Sequence, residues 1–134
     1  MQSLKVLLAD DHESFRRILA AFLNAQYGIE VVGTASDGID AVALTDKLRP
    51  DIVLMDIHMP KKNGIEATVE IKNRWPSIKV FMLSMDPGEF YRRNAQLFAD
   101  GLIAKTSMKS ALLTVLDSEQ QSHVGSFAGN VAAA

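Results

Sequence analysis

The sequence predicts an α/β fold, in which helices cover both faces of a five-stranded parallel sheet. The 134 residues suit one domain, and 48% of them are hydrophobic, which is enough for a substantial core. Short apolar runs alternate five times with segments of helical periodicity. The apolar runs are nearly continuous, as expected of strands that are buried on both faces of a doubly wound sheet.

The five apolar runs are the predicted strands. The first covers residues 4–9, is apolar except for Lys5, and ends at Asp10. The third covers residues 51–55 and is fully apolar after its first residue. The other three cover residues 30–35, 78–83 and 101–104.

Each predicted strand is followed by a predicted helix. The first helix begins near Phe15 and ends at Tyr27-Gly28, because glycine is favoured just past a helix C-terminus. Ser36 or Asp37 caps the second helix, which runs to about residue 48. The other helices are predicted over residues 65–74, over residues 86–99, and from a cap at residue 106 or 107 to about residue 116.

The last part of the chain has a different composition. Residues 118–134 are small and polar, with Gly125, Gly129 and three closing alanines. This composition is typical of a flexible tail or linker. The predicted organisation is one domain over residues 1–117 and a tail over residues 118–134.

Composition argues against several classes of protein. Lys and Arg number 14 against 16 Asp and Glu, and the net charge of -2 disfavours a general nucleic-acid-coating protein. The sequence has no cysteine, which excludes disulfides, thiolate metal sites and a cysteine nucleophile. No apolar stretch has the length of a membrane span or the pattern of a signal peptide, so a soluble, cytoplasmic protein is expected.

Polar residues follow four of the five predicted strands. They are, in chain order, Asp10, Asp11, Asp56, Ser84 and Lys105. In such a fold the carboxyl ends of the strands meet at one edge of the sheet, where ligands bind. Three carboxylates placed together retain protons unless cations neutralise them, and Mg²⁺ suits carboxylate and phosphate oxygens. One carboxylate is then available as a nucleophile towards a phosphoryl group, which would give an acyl phosphate.

Four short motifs surround these residues. They are Leu-Ala-Asp-Asp-His at 8–12, Met-Asp-Ile-His-Met-Pro at 55–60 with Asn-Gly at 63–64, Leu-Ser at 83–84, and Ala-Lys at 104–105. Together they resemble the receiver domain of two-component response regulators, over residues 4–116. Segments 9–12 and 31–35 are most similar to receivers of NarL/LuxR-type transcription regulators. The resemblance implies the (βα)5 topology of CheY- and flavodoxin-like proteins, with strand order 2-1-3-4-5.

The resemblance also implies a role for each acidic residue. Asp56 matches the phosphoacceptor, which receives a phosphoryl group from the phosphohistidine of a histidine kinase. Asp11 and Asp56 match Mg²⁺ ligands, whereas Asp10 matches a residue that acts mainly through a metal-bound water. The backbone carbonyl of His58 matches the remaining protein ligand.

Two further residues and an output surface follow from the resemblance. Ser84 matches the switch hydroxyl and Lys105 the phosphate-binding lysine. Phosphorylation is expected to change the surface of the fourth helix, fifth strand and fifth helix, where receivers often dimerise or contact an output domain. The expected partners are a sensor histidine kinase or phosphotransfer protein and a second copy of the chain, without direct nucleic-acid or membrane binding. Output is expected through a DNA-binding domain absent here, and the domain assists its own phosphorylation and dephosphorylation without being a turnover enzyme.

Two positions depart from the family pattern. Leu102 stands where the family usually has an aromatic switch residue, so rotation of an aromatic ring cannot be assumed. Met85 stands where a small residue is common, and it is predicted to crowd the phosphoryl site and slow labelling by small phosphodonors. The alternative function is a stand-alone receiver or a pseudo-receiver that acts as a protein-interaction module.

Simpler explanations and other protein classes account less well for these residues. Taken singly, Asp10 and Asp11 are helix caps and Lys105 is a surface lysine; only their joint placement favours a site. A haloacid-dehalogenase phosphatase would carry its nucleophile after the first strand. A flavin-binding protein would carry a Ser-, Thr- or Gly-rich loop there, which the acidic residues of this sequence do not provide.

Overall fold

The computed structural model describes residues 3–85 and 98–133, with side chains up to residue 121. All described strands pair in parallel, and their order in the sheet is β2-β1-β3-β4-β5. The predicted α/β fold and strand order are confirmed. The strands are β1 (Leu4–Ala9), β2 (Ile29–Ala35), β3 (Ile52–Asp56), β4 (Lys79–Ser84) and β5 (Gly101–Ala104).

The described helices lie in the segments where the apolar periodicity predicts them, but two of their ends differ. The helices are α1 (Glu13–Asn24), α2 (Gly38–Leu48), α3 (Gly64–Arg74) and a C-terminal helix (Met108–Ala133). The first helix ends at Asn24, before the predicted end at Tyr27-Gly28, and the last helix continues well beyond residue 116. A short 3-10 turn, Lys105–Ser107, joins β5 to the C-terminal helix. The helix predicted over residues 86–99 falls mainly on residues 86–97, which lie outside the described part of the chain.

The sheet separates two apolar layers, which explains why most residues of its strands are apolar. On one face, residues such as Leu8 and Leu54 pack against α1 and the C-terminal helix. On the other face, residues such as Val53 and Met55 pack against α2 and α3. Alternate residues of each strand point to opposite faces, so most positions of the central strands are buried beneath helices.

Side-chain caps begin two of the helices. Asp37 accepts a hydrogen bond from the Asp40 N–H at the start of α2, which selects Asp37 of the two predicted caps. Asn63 and Glu66 form a reciprocal capping box at the start of α3. Helix α2 ends at Arg49 in the left-handed conformation, just before Pro50, as the proline predicts.

The C-terminal segment differs from its prediction. The backbone continues as a helix to Ala133, where the sequence predicts a flexible tail after residue 117. Alanine, glutamine and glutamate have high helix propensity, which offsets the two glycines. In addition, the Gln120 side chain donates to the Tyr27 carbonyl at 3.0 Å, which connects the first turn beyond residue 117 to the segment between α1 and β2. The domain boundary at residue 117 stays a prediction.

In the part of the chain that the structure describes, no helix combines the length and the apolar character that crossing a bilayer requires.

Candidate functional site at the carboxyl edge of the sheet

Two carboxylates lie side by side at the carboxyl edge of the sheet. Asp56 is the last residue of β3, and Asp10 directly follows β1. These strands are neighbours, with Ala9 opposite Met55, so the aspartates that follow are adjacent. Asp10 is 0% exposed and Asp56 is 6% exposed. Two buried like charges are unfavourable unless a cation is close to them.

Lys105 supplies a positive charge to this pair. Its Nζ donates to Asp10 Oδ2 at 2.6 Å and lies 3.2 Å from Asp56 Oδ1. The lysine side chain is only 5% exposed, so solvent screens these interactions weakly. Lys105 follows β5, which is two places from β3 in the sheet, and a long side chain at this position reaches both carboxylates.

The carboxyl group of Asp56 has a perturbed pKa. Burial and, to a smaller extent, the negative charge of Asp10 raise the pKa from 3.8 to about 6. The positive charge of Lys105 acts in the opposite direction but does not cancel these effects. Asp56 is therefore mostly ionised at neutral pH and takes a proton in mildly acidic solution.

Asp11 and His12 extend the pair into a cluster of possible metal ligands. One ligand atom from each of Asp10, Asp11, His12 and Asp56 lies within 4.8 Å of the others. His12 Nδ1 is 3.3 Å from Asp10 Oδ1 and 3.1 Å from Asp11 Oδ1. Three carboxylates against one ammonium leave excess negative charge, and carboxylate oxygens suit a hard divalent cation. The donor set fits the Mg²⁺ ion that the sequence predicts.

Ser84 lies at the same edge of the sheet as this cluster. It is the last residue of β4 and follows Leu83, which lies opposite Asp56 in the adjacent strand. Ser84 is 6% exposed. The sheet therefore places Ser84 at the same edge as the carboxylates, as the sequence predicts.

The two positions that depart from the family pattern have different environments. Leu102 is partly buried and packs against the apolar cluster of Ile57 and Met82. Met85 is 67% exposed, so most of its side chain contacts solvent. The crowding of the phosphoryl site by Met85 stays a prediction, as does the role of the His58 carbonyl as a ligand.

The loop after β3 folds closely over Asp56. The Gly64 N–H donates to the Ile57 carbonyl at 2.8 Å. A Cβ atom at Gly64 would lie 1.9 Å from the backbone carbonyl oxygen of Asp56, which is far inside van der Waals contact. The Asn-Gly motif at 63–64 therefore serves two needs, because asparagine caps α3 and glycine permits this close approach.

The loop after β2 supports the loop after β3. Asp37 Oδ2 lies 3.5 Å from Lys61 Nζ, and a Cβ atom at Gly38 would lie 2.0 Å from the Lys62 carbonyl oxygen. The hydrogen bond from the Asp40 N–H lowers the pKa of Asp37, and Lys61 lowers it further, against the effect of burial. Asp37 and Gly38 thus contact Lys61 and Lys62, in the segment that follows Asp56.

Three residues near the start of α1 have contacts at the site that sequence reasoning missed. The His12 N–H donates to Asp10 Oδ1 at 2.8 Å, and the Arg16 guanidinium donates to the Asp10 carbonyl at 2.6 Å. The Lys105 ammonium lies 4.4 Å from the centre of the Phe15 ring. An aspartate two residues before His12 is a recognisable turn signal. The Phe15 contact joins segments 90 residues apart, and no local pattern reveals it.

Comparison with known families agrees with this geometry. The family model of the response regulator receiver domain matches residues 6–117 of the sequence. This chain belongs to that family.

Known relatives of this receiver domain include transcription regulators. It is 42% identical over 110 residues to the response regulator protein VraR of Staphylococcus epidermidis, covering 81% of this chain and 52% of that protein. It is 36% identical over 116 residues to the transcriptional regulatory protein DegU of Brevibacillus brevis, covering 87% and 46% respectively. This receiver domain thus spans about half the length of these relatives.

Solved structures give the same result. The signal receiver domain of the putative response regulator NarL from Mycobacterium tuberculosis superposes with a TM-score of 0.82 at 27% identity, covering 90% of this chain and 98% of that one. The sequence-based assignment to receivers similar to NarL/LuxR-type regulators is confirmed.

Proposed function

We propose that this receiver domain accepts a phosphoryl group on Asp56 from a histidine kinase or a phosphotransfer protein. The main support is the Lys105 Nζ, which lies 3.2 Å from Asp56 Oδ1 and 2.6 Å from Asp10 Oδ2. In the transfer, a carboxylate oxygen of Asp56 bonds to phosphorus while the P–N bond of the phosphohistidine breaks. The electron pair of that bond stays on the histidine nitrogen, with any proton exchanged with solvent, and the product is an acyl phosphate.

Three carboxylates are proposed to hold a Mg²⁺ ion at this site. They belong to Asp10, Asp11 and Asp56, and the backbone carbonyl of His58 is the proposed further ligand. The support is the close grouping of the carboxylate oxygens and their excess negative charge over Lys105. When bound, the ion supplies positive charge that balances the charge of the transferred phosphoryl group.

The residues of the chain itself have separate tasks in this proposal. The carboxyl group of Asp56 has a pKa of about 6, so it is mainly the ionised nucleophile at neutral pH. Lys105 binds a phosphoryl oxygen through its ammonium group, and Ser84 donates a hydrogen bond to another phosphoryl oxygen. The domain assists its own phosphorylation and dephosphorylation in this way and is not a turnover enzyme.

The output of the domain is proposed to be transcriptional. Phosphorylation draws Ser84 towards Asp56 and shifts a two-state equilibrium in the surface formed by the predicted fourth helix, β5 and the C-terminal helix. A coupling of about 1–3 kcal/mol is typical of such switches. The remodelled surface contacts a second copy of the chain or a DNA-binding domain. The support is the match to DegU, which is named a transcriptional regulatory protein. A phosphohistidine donor implies a cytoplasmic location.

Binding of beryllofluoride, a phosphoryl mimic, tests the proposed acceptor. Amide NMR spectra are recorded with and without Mg²⁺ and beryllofluoride for the wild type, for Asp56→Asn, and for Asp117→Asn. Asp117 is an exposed carboxylate on the C-terminal helix and serves as the matched control. We expect shifts at residues 56, 84 and 105 that extend into the C-terminal helix, occur in the Asp117 variant, and vanish in the Asp56 variant.

Three results would contradict the proposal. If the wild type shows no Mg²⁺-dependent response, the acceptor function is wrong and the domain acts as an interaction module. If Asp56→Asn responds like the wild type, the phosphoryl group goes to another residue. A response confined to the site, with no shifts in β5 or the C-terminal helix, rules out the proposed output surface.

A further inference from the structure

The ammonium of Lys105 contacts an aromatic ring as well as two carboxylates. Its Nζ lies 4.4 Å from the centre of the Phe15 ring, in a side chain that is 5% exposed. A cation within about 6 Å of a ring centre is attracted by the negative face of the ring, and more strongly where water is excluded. Phe15 is partly buried and packs against the core layer between α1 and the sheet.

We propose that Phe15 is a positioning residue for Lys105, which it holds above the acidic pair through its ring face. This inference rests on the proposed phosphorylation of Asp56. Lysine has a long flexible stem and many rotamers, and the two carboxylates approach it from the same edge of the sheet. The face of the Phe15 ring therefore restricts the position of the ammonium by a contact that neither Asp10 nor Asp56 provides.

The ring face suits this task because it does not compete for hydrogen bonds. An ammonium has three N–H donors; one of them donates to Asp10, and Asp56 lies at ion-pair distance. Attraction to a ring face requires no donor aimed at a particular atom. Lys105 can therefore turn a donor towards an arriving phosphoryl oxygen while it remains over the ring. A carboxylate in place of the ring would hold the lysine more tightly and compete with the phosphoryl group.

The same helix provides a matched control. Phe22 lies two turns after Phe15 on α1, and its ring is 5.5 Å from Lys109 Nζ. It is partly buried against the same core layer. Removing either ring therefore disturbs similar packing, but only Phe15 contacts a lysine that touches the acidic pair.

The test replaces each ring and measures phosphorylation of Asp56. The variants are Phe15→Leu, Phe15→Tyr, Phe22→Leu, and a series in which Phe15 carries one, two or three ring fluorines. Fluorination keeps the shape of the ring nearly unchanged and weakens its negative face. The readouts are the rate of labelling by acetyl phosphate at saturating Mg²⁺, the Mg²⁺ dissociation constant, and the proton shifts of the Lys105 methylene groups.

We expect labelling to slow by about threefold to tenfold in Phe15→Leu and to remain near the wild-type rate in Phe15→Tyr and Phe22→Leu. Each added fluorine should slow it further, with little change in the Mg²⁺ dissociation constant. The ring should shift the Lys105 methylene protons upfield in the wild type and in Phe22→Leu but not in Phe15→Leu.

Two results would overturn the inference. One is equal labelling of the two leucine variants, and the other is a flat fluorine series, which would reduce Phe15 to a space-filling residue. If the wild type itself is not labelled, the proposed function fails instead. The proton shifts of the Lys105 methylene groups still test the position of Lys105 in that case. If these protons are not shifted upfield in the wild type, the ring does not hold Lys105.

Discussion

The ionised carboxylate of Asp56 is expected to destabilise the folded domain. Its pKa is raised by burial and by Asp10 from 3.8 to about 6. Between these values the folded state binds more protons than the unfolded state, so stability falls as the pH rises through this window. A shift of this size corresponds to a loss of about 3 kcal/mol at pH 7.

The substitution Asp56→Asn removes this penalty while keeping the shape of the side chain. Its Oδ1 can still accept a hydrogen bond from Lys105, although the attraction between opposite charges is lost. We therefore expect a net gain of about 2 kcal/mol in the free energy of unfolding at pH 7 without divalent cations. With an ordinary urea m-value, this raises the denaturation midpoint by about 1 M.

Urea denaturation followed by tryptophan fluorescence provides the measurement. The chain has one tryptophan, Trp75, which packs against the layer below α2 and α3 and contacts Arg49 and Arg74. The gain in the free energy of unfolding of Asp56→Asn over the wild type should nearly disappear at about pH 4.5, because Asp56 of the folded wild type is protonated there. Asp117→Asn, an exposed control, should change stability by less than about 0.5 kcal/mol. A variant no more stable than the wild type at pH 7 would refute the reasoning.

Three other perturbations test neighbouring features. Mg²⁺ should stabilise the wild type by about 1.4 kcal/mol at ten times its dissociation constant, as measured by the same urea assay, and Asp11→Asn should lose most of this gain. Gly64→Ala should lower the free energy of unfolding by more than about 2 kcal/mol, because its methyl group would meet the Asp56 carbonyl oxygen; an unchanged midpoint would contradict the close approach. Asp37 has a lowered pKa, so its stabilising effect is present above pH 3.8 and is lost as the pH falls towards the folded value. Asp37→Asn should therefore lose less stability than the wild type between about pH 5 and pH 2, and parallel pH profiles would exclude this contribution.

The sequence was sufficient to predict the parts of the molecule that depend on local pattern. The strands are apolar runs because both of their faces are covered, and a parallel sheet places the residues that follow its strands at one edge. Asp10, Asp56 and Lys105 could thus be grouped before their distances were known. The predicted caps at the second helix included Asp37 for a similarly local reason.

The remaining features depend on contacts between distant segments. The Phe15 ring contacts Lys105 because α1 and the C-terminal helix that follows Lys105 pack on the same face of the sheet, and helical periodicity cannot specify that pair. The C-terminal helix continues beyond residue 117 although its composition resembles a linker. There the Gln120 side chain gains a partner, the Tyr27 carbonyl, that only the folded domain provides.

Burial and repulsion at the carboxylates link the stability of the domain to its chemistry. Burial raises the pKa of Asp56, the negative charge of Asp10 raises it further, and Lys105 offsets only part of these effects. A divalent cation at these carboxylates must displace any proton on Asp56, so its affinity has to fall as the pH drops below about 6. A fully neutralised cluster would be more stable but would attract the cation less strongly. Burial and incomplete pairing therefore destabilise the site slightly, and the same excess of negative charge favours binding of the proposed cation that would precede the proposed phosphoryl transfer.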